Sequence, residues 1–209
     1  MRDTRSKIIT IQGIFDACVR VSALESVKLR EAESGRTMEM KSQVASVIPM
    51  VPVATMQIIE AHSIDRLKTI RQLFTEYVNG LEIELCFQNF KQELESLPGK
   101  YAPPDGRLLL ALQDDQAVGC GALRKFEQGI CEMKRLYVRP QFRGQRAGRK
   151  LAEALIEAAR QIGYQRMVLD TLSSMKEAIC LYESLSFCRT APYYHNPSPR
   201  AVFMQLELS

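Results

Sequence analysis

The run from Gly129 to Leu172 restricts the fold more than any other part of the chain. "GICEMKRLYV" (129–138) is apolar and β-branched enough to read as a strand. A helix follows from about Gly148 to Ile162, with Leu151, Leu155, Ala158, Ala159 and Ile162 on one stripe and Gly163 where a C-cap belongs. "RMVLDTL" (166–172) is again strand-like. A strand, a crossover helix and a strand make a βαβ unit, so Cys131 to Val138 and Arg166 to Leu172 are expected to lie parallel.

Where the first strand meets the helix, the chain reads "YVRPQFRGQRAGRKL". From Arg139 to Lys150 it carries five basic side chains, two glycines and no acid. The helix starts without Ser, Thr, Asp or Asn at its N-cap, so its first amides lack an obvious acceptor. They point, with the positive end of the helix dipole, beyond Val138. A diphosphate suits such a place. Gly144 and Gly148 let the backbone come close to it, and Arg143, Arg146 and Arg149 can add charge-assisted bonds. A merely solvated arginine-rich turn is the competing reading. Neither G-x-x-x-x-G-K-[ST] nor G-x-G-x-x-G with a distant acid occurs, which argues against the common nucleotide loops.

The remaining elements fall around this unit. "MQIIEA" begins a strand at Met56, and a helix from about Ser63 keeps Leu67, Ile70, Phe74 and Tyr77 on one face until Asn79-Gly80. A second helix places Phe87, Phe90, Leu94 and Leu97 at the same spacing and closes at Pro98-Gly99. "RLLLALQ", "QAVGCGALRKF" and "GICEMKRLYV" are joined by the short turns Asp114-Asp115 and Glu127-Gln128-Gly129, which predicts an antiparallel meander. After the βαβ unit, Ser174 and Glu177 suggest a capping box for a helix bearing Ile179, Tyr182 and Leu185. "AVFMQLEL" ends the chain as a strand. The expected class is α/β with a mixed sheet, in the order β-α-α-β-β-β-α-β-α-β.

Composition narrows the function classes. A chain of 209 residues, 46% hydrophobic and 25% charged, is the size of one ordinary domain. Residues 1–55 differ in kind and are expected to be a poorly ordered extension, with the folded domain spanning 56–209. Asp3, Asp16 and Glu25 argue against an organellar presequence. No apolar run approaches the roughly 18 residues of a membrane span, so a cytoplasmic protein without a membrane partner is expected. Six scattered cysteines with no C-x-x-C pair suit reduced, buried thiols, and two histidines argue against a histidine-rich metal site. A net charge of +4, with no second basic stripe, gives no case for nucleic acid.

"LYVRPQFRGQRAGRKL", followed at helix distance by "AICLYESLSF", resembles the acetyl-CoA signature and C-terminal helix of the GNAT superfamily of N-acetyltransferases. The resemblance covers about Met56 to Leu208. It implies a GNAT-like fold in which the two parallel strands splay apart. It implies acetyl-CoA as cosubstrate, with no metal, bound by Leu136, Tyr137, Val138, Arg143, Gly144, Gln145, Arg146, Ala147, Gly148, Arg149 and Thr171. The diphosphate would lie on the amides of residues 143–149 and the pantetheine arm beside Val138. It also implies a primary amine as acceptor, here expected to be a small molecule, and leaves assembly as a homodimer open. The chain departs from the family pattern R-G-x-G-x-G at Arg146 and from L-Y-x-x-x-G-F at Ser186, and Met175 stands where many members have asparagine.

Amine attack on a thioester needs a neutral amine, a stabilised oxyanion and a proton for the departing thiolate. By the resemblance, Tyr182 supplies that proton. From residue pattern alone it would be a core tyrosine flanked by Ile179 and Leu185. Glu132 is the candidate base, a carboxylate within an apolar strand, with solvent exposure or pairing to Lys134 or Arg124 as alternatives. A backbone amide near Tyr137 or Val138 would hold the oxyanion. Tyr77, Phe87, Asn89 and the loop with Tyr193, Tyr194, His195 and Asn196 are expected to wall the acceptor pocket. A domain that binds acyl-CoA without turning it over is the alternative from another class.

Overall fold

Apolar runs buried on both faces organise the sheet. The computed structural model describes residues 55–81 and 87–208, the side chains of residues 87–89 excepted. The expected N-terminal extension, and the side chains of Phe87 and Asn89 expected as pocket walls, lie outside what is described. Strands β1 (Met56–Glu60), β2 (Arg107–Gln113), β3 (Gln116–Glu127) and β4 (Ile130–Val138) form an antiparallel meander. Helices α1 (Ile64–Asn79) and α2 (Phe87–Ser96) intervene between β1 and β2. In β2, Leu108 and Leu110 turn toward α1, where Ile70, Leu73 and Phe74 pack. Leu109 and Ala111 turn the other way, toward Leu151 and Leu155. The period of two sends neighbours to opposite cores, which is why "LLLA" is apolar throughout. Each fully buried leucine contributes about 1.5–3 kcal/mol.

The crossover helix α3 (Ala147–Ile162) leads to β5 (Arg166–Leu172), then α4 (Lys176–Ser184), β6 (Cys188–Arg189) and β7 (Ala201–Glu207). Strand order across the sheet is β1-β2-β3-β4-β5-β7-β6. The β4–β5 pair is parallel, as the βαβ unit requires, and every other described pairing is antiparallel. Parallel pairing runs only from Ile130↔Arg166 to Glu132↔Val168. Beyond it the strands separate. On its other side β5 stays paired with β7 along its whole length, from Arg166↔Glu207 to Leu172↔Ala201.

A bulge in β4 accompanies the separation. Lys134 faces Ala122 and Tyr137 faces Cys120, so Arg135 and Leu136 together oppose Gly121. Arg135 takes φ 56, and such a residue bends the strand and re-aims its side chain. Gly119 lies opposite Val138, where a Cβ would come within 2.3 Å of the Tyr137 carbonyl oxygen. Only glycine permits so close an approach there.

Three details correct the sequence reading. Ser174 does not cap α4: Met175 is the N-cap and no side chain caps it. The amide of Ser173 donates to Arg200 O and that of Met175 to Leu172 O, and this tight turn delays the helix by one residue. The two-residue edge strand β6 adds an element to the expected order. Of the free cysteines described, Cys120 and Cys131 are buried as expected, whereas Cys180 and Cys188 are exposed.

Candidate active site

Two left-handed residues shape the start of α3. Gly144 has φ 79 and Arg146, the N-cap, has φ 62 with no side-chain cap. Arg143 N donates to Pro140 O, but the amides of residues 144–149 find no acceptor among the described residues. Six N–H groups therefore cluster at the positive end of a sixteen-residue helix. Such a cradle accepts an anion. Gly148 packs where a Cβ would meet Leu181 and Val138 at 3.6 and 3.7 Å, bringing the helix start against α4 and the end of β4.

The basic side chains around this cradle divide. Arg139 turns away to a bidentate pair with Glu76, at 2.9 and 2.8 Å, and to Ala117 O. Arg149 crosses to α4, donating to Ser184 Oγ at 2.5 Å and to Glu153. Arg143 donates to Val138 O at 3.2 Å. Arg146 and Lys150 have no ion-pair partner among the described residues, and Gln145 is exposed beside them.

The gap between the strands opens into a cavity of about 810 Å³. Leu136 from β4, Thr171 from β5 and Tyr182 from α4 line it, together with Tyr77 and the loop from Tyr194 to Arg200. Tyr137 and Val138 complete the edge of β4, with Tyr137 packed toward Tyr77 and Val138 toward α3. Thr171 donates to Met175 Sδ at 3.7 Å. Tyr182 is 7% exposed, and its hydroxyl makes no hydrogen bond with any described residue. No buried side-chain oxygen among the described residues is left without a partner, so that hydroxyl opens into the cavity. Burial pushes the phenol well above its usual pKa, and the charge on Asp170 adds to the effect. It is a proton donor at neutral pH.

Glu132, the expected base, is placed differently. It is fully buried and does not line the cavity. One oxygen accepts from Arg124 at 2.7 and 2.6 Å. The other accepts from Tyr193 at 3.0 Å and lies 3.4 Å from Lys134. Both oxygens are occupied, so the carboxylate joins β3, β4 and the 192–199 loop and is closed to an incoming amine. Pairing with Arg124 and Lys134, the alternative in the sequence reading, is what occurs. Tyr193 goes with it into a ring cluster with Phe126 and Phe203, while Tyr194, His195 and Asn196 face the cavity.

Sequence reasoning missed two ion pairs that frame the cavity. Arg135 makes a bidentate pair with Glu93 of α2 and sits 6.0, 6.0 and 5.3 Å from the rings of Phe74, Tyr77 and Phe90. Lys134 donates to Asp170 at 2.8 Å, and Tyr194 and Asn196 donate to the other oxygen of Asp170. Burial alone would raise both carboxyls, but their cation partners outweigh it and hold Glu93 and Asp170 below the usual range. One signal was available: two consecutive cations, Lys134-Arg135, interrupt the inward-outward alternation of β4, as a bulge does.

Comparison with known proteins decides the family. The sequence pattern of the Acetyltransferase (GNAT) family matches residues 67–187. An uncharacterized N-acetyltransferase of Schizosaccharomyces pombe is 44% identical over 145 residues, covering 68% of this chain and 89% of that protein. The chain belongs to the GNAT family. It is an acetyltransferase of that fold, and the family uses acetyl-CoA. An acetyltransferase of GNAT family from Staphylococcus aureus superposes with TM-score 0.65 at 18% identity, over 74% of this chain and 100% of that one, which shows the fold alone. The structure of yncA from Salmonella typhimurium, with its cofactor acetyl-CoA, superposes with TM-score 0.56 at 25% identity over 75% and 95% of the two chains.

Departures from the family pattern have visible consequences. Arg146 occupies a glycine's left-handed conformation, and so does Ser186, with φ 69. Met175, in the place of the usual asparagine, lines the cavity and receives the Thr171 hydroxyl at its sulfur. No helix among the described residues is long and apolar enough to cross a membrane. No cluster of three or more His, Cys, Asp and Glu among them is placed to hold a metal.

Proposed function

We propose that the protein transfers the acetyl group of acetyl-CoA to the primary amine of a small molecule by direct attack in a ternary complex. One observation carries the reading: unpartnered amides at the start of α3 lie against the end of β4, and an unbonded phenol, Tyr182, lines the cavity where β4 and β5 are no longer paired. The amides of residues 144–149 would bind the diphosphate, with Arg146 adding a cation; the Arg143 amide, expected to join them, is already bonded to Pro140 O. Leu136, Tyr137 and Val138 would offer backbone groups to the pantetheine arm, because β4 has no strand partner on the β5 side past Glu132. Thr171 would lie on the facing strand.

Acetyl-CoA supplies an activated acyl thioester. The chain's own part is to hold, orient and transfer protons. Tyr182 keeps a proton at its oxygen for the departing sulfur, and its raised pKa ensures that the proton is there. An amide of the bulged segment near Tyr137 would face the oxyanion. Glu132 would act by positioning, fixing Arg124 and Tyr193. The attacking amine must be neutral, and Lys134 and Arg135 hold the two carboxylates that line the cavity, Asp170 and Glu93, in ion pairs, so neither is free to stabilise its ammonium form.

Release of free thiol from acetyl-CoA with a panel of small amines tests the reading, with coenzyme binding followed by calorimetry. Turnover that collapses in Tyr182→Phe while binding persists is the expected result. Tight coenzyme binding with no turnover on any amine would instead establish a binding-only domain, the reading that left-handed Arg146 and Ser186 favour.

A further inference from the structure

Charges on the acceptor side do not cancel. Glu93 receives two donors from Arg135 and a third from the Tyr101 hydroxyl at 2.6 Å. Asp170 receives Lys134, Tyr194 and Asn196. These are the two carboxylates among the described residues lining the main cavity, and both are filled. Each already accepts three bonds from the protein's own donors and has its charge matched by a cation, which leaves little to attract a second ammonium group of an incoming ligand. Arg200, at the rim of the same cavity, has no ion-pair partner among the described residues.

A second cavity of about 600 Å³ adjoins the first and shares Glu93, Lys134, Arg135 and Tyr194 with it. It adds Arg124, which is matched by buried Glu132, and Lys100, which is matched by nothing described. Five cations (Lys100, Arg124, Lys134, Arg135, Arg200) thus face three carboxylates (Glu93, Glu132, Asp170), an excess of two positive charges. The excess comes from Lys100 and Arg200, both exposed, and an uncompensated field of one sign at a cavity mouth selects the opposite sign in the ligand.

Arg200 is fixed where such a ligand would need it. Its carbonyl accepts from Ser173 N at 2.9 Å and its own amide donates to Ser198 Oγ at 3.3 Å, anchoring the residue at the end of β5. Ala201, the next residue, pairs with Leu172, one position beyond Thr171 on the strand that lines the gap. The side chain is exposed and lines the same cavity as Tyr182.

We propose that the acceptor is an amino acid or a similar amine bearing a carboxylate, and that Arg200 binds that carboxylate. This rests on the acetyltransferase reading above. A planar guanidinium grips a carboxylate with two parallel bonds, which orients the amine as well as holding it. The α-amine of such a ligand brings one positive charge that its own carboxylate balances, whereas polyamines and lysine-rich tails would add charge of the wrong sign.

The test compares three pools at fixed acetyl-CoA: the proteinogenic amino acids, their carboxamides, and aliphatic diamines with polyamines. Free-thiol release gives kcat and KM, and calorimetry gives coenzyme affinity. Wild-type protein is expected to favour at least one amino acid over its carboxamide by roughly tenfold or more, the scale of one charge-assisted hydrogen bond. Arg200→Ala should erase that ratio through KM with little change in kcat, and Arg200→Glu should reverse it. Both variants change an exposed side chain, so unchanged thermal midpoints and coenzyme affinity are expected to confirm intact folding. Preference for the diamine pool, or an acid-to-amide ratio that survives Arg200→Ala, overturns this inference and leaves the transferase intact. Coenzyme binding without turnover on any pool sinks the transferase reading and this one with it.

Discussion

Glu93 of α2 and Arg135 of the β4 bulge, 42 residues apart in sequence, meet in a bidentate ion pair at 3.0 and 2.5 Å. Arg135 is 13% exposed and is boxed by Phe74, Tyr77 and Phe90, so the pair pins the second helix to the segment that opens the gap. Removing one partner strands a charge in a poorly solvated place. Glu93→Ala should lower stability by about 2–4 kcal/mol in chemical denaturation, below the limit for a fully buried pair because both groups touch solvent. Arg135→Met together with Glu93→Leu should recover much of that loss. A single Glu93→Ala variant as stable as wild type would show that the bulge holds itself.

The same pairs set the acid limit of stability. Glu93 and Asp170 sit below their usual pKa because their cations outweigh burial, and Glu76 does so chiefly through hydrogen bonds from Arg139. A carboxyl depressed in the folded state contributes stability above its unfolded pKa and loses it as pH falls through the folded value. With reference values of 4.5 for glutamate and 3.8 for aspartate, the decline should start just above pH 4.5 and steepen below 3.8. Denaturation midpoints measured from pH 7 downward should fall less steeply in Glu93→Gln than in wild type. Parallel acid limbs would remove Glu93 from the account.

Arg146 and Ser186 both stand in left-handed backbone that glycine adopts without cost. Holding a side chain there costs on the order of 1 kcal/mol, and glycine's freer unfolded chain returns part of it. Ser186→Gly should therefore change stability by less than about 1 kcal/mol, in the stabilising direction. Arg146→Gly should stabilise by a similar amount yet weaken coenzyme binding, with a shallower salt dependence of the dissociation constant. Unchanged affinity at low salt would exclude Arg146 from the anion site.

Legibility in the sequence followed the reach of each interaction. The βαβ unit, the start of α1 near Ser63, the C-cap at Gly163 and the Asp114-Asp115 turn could be read because each depends on neighbours within one turn or one period. The anion cradle could be read for the same reason, being a local absence of caps. Glu93 looked like an ordinary charge on a helix face, since its partner lies on another element far along the chain. Glu132 attracted a chemical role because a carboxylate in an apolar strand is rare, but its explanation, Arg124 on the adjacent strand and Tyr193 from a distant loop, needed three dimensions. The length of the β4–β5 pairing likewise depended on a bulge, of which Lys134-Arg135 in succession is a local sign but not a measure of where the pairing stops.

Gly119 offers a test of how tightly that bulge is built. A methyl group there would lie 2.3 Å from the Tyr137 carbonyl oxygen and 3.1 Å from Val138 Cα, both backbone atoms that cannot swing aside. Gly119→Ala should cost about 1–3 kcal/mol, as overpacking does, and should disturb the edge that feeds the coenzyme site. Coenzyme affinity should drop along with stability. Loss of stability alone would mean that β4 relaxes without moving Val138.

Tyr182→Phe separates chemistry from packing. The phenol packs against Phe187 at 5.7 Å between ring centroids and belongs to the buried core, so removing its oxygen leaves the apolar contacts in place. Its hydroxyl has no described partner to lose, and stability should therefore hold within about 0.5 kcal/mol. The rate should fall by about 10²–10⁴-fold if the hydroxyl protonates the leaving sulfur, with coenzyme affinity unchanged. Because burial holds the phenol protonated beyond its usual range, wild-type kcat should not decline on the alkaline side until well past pH 10, the reference value for tyrosine. A variant that turns over at the wild-type rate would reduce Tyr182 to a core residue, as its place on an apolar stripe first suggested.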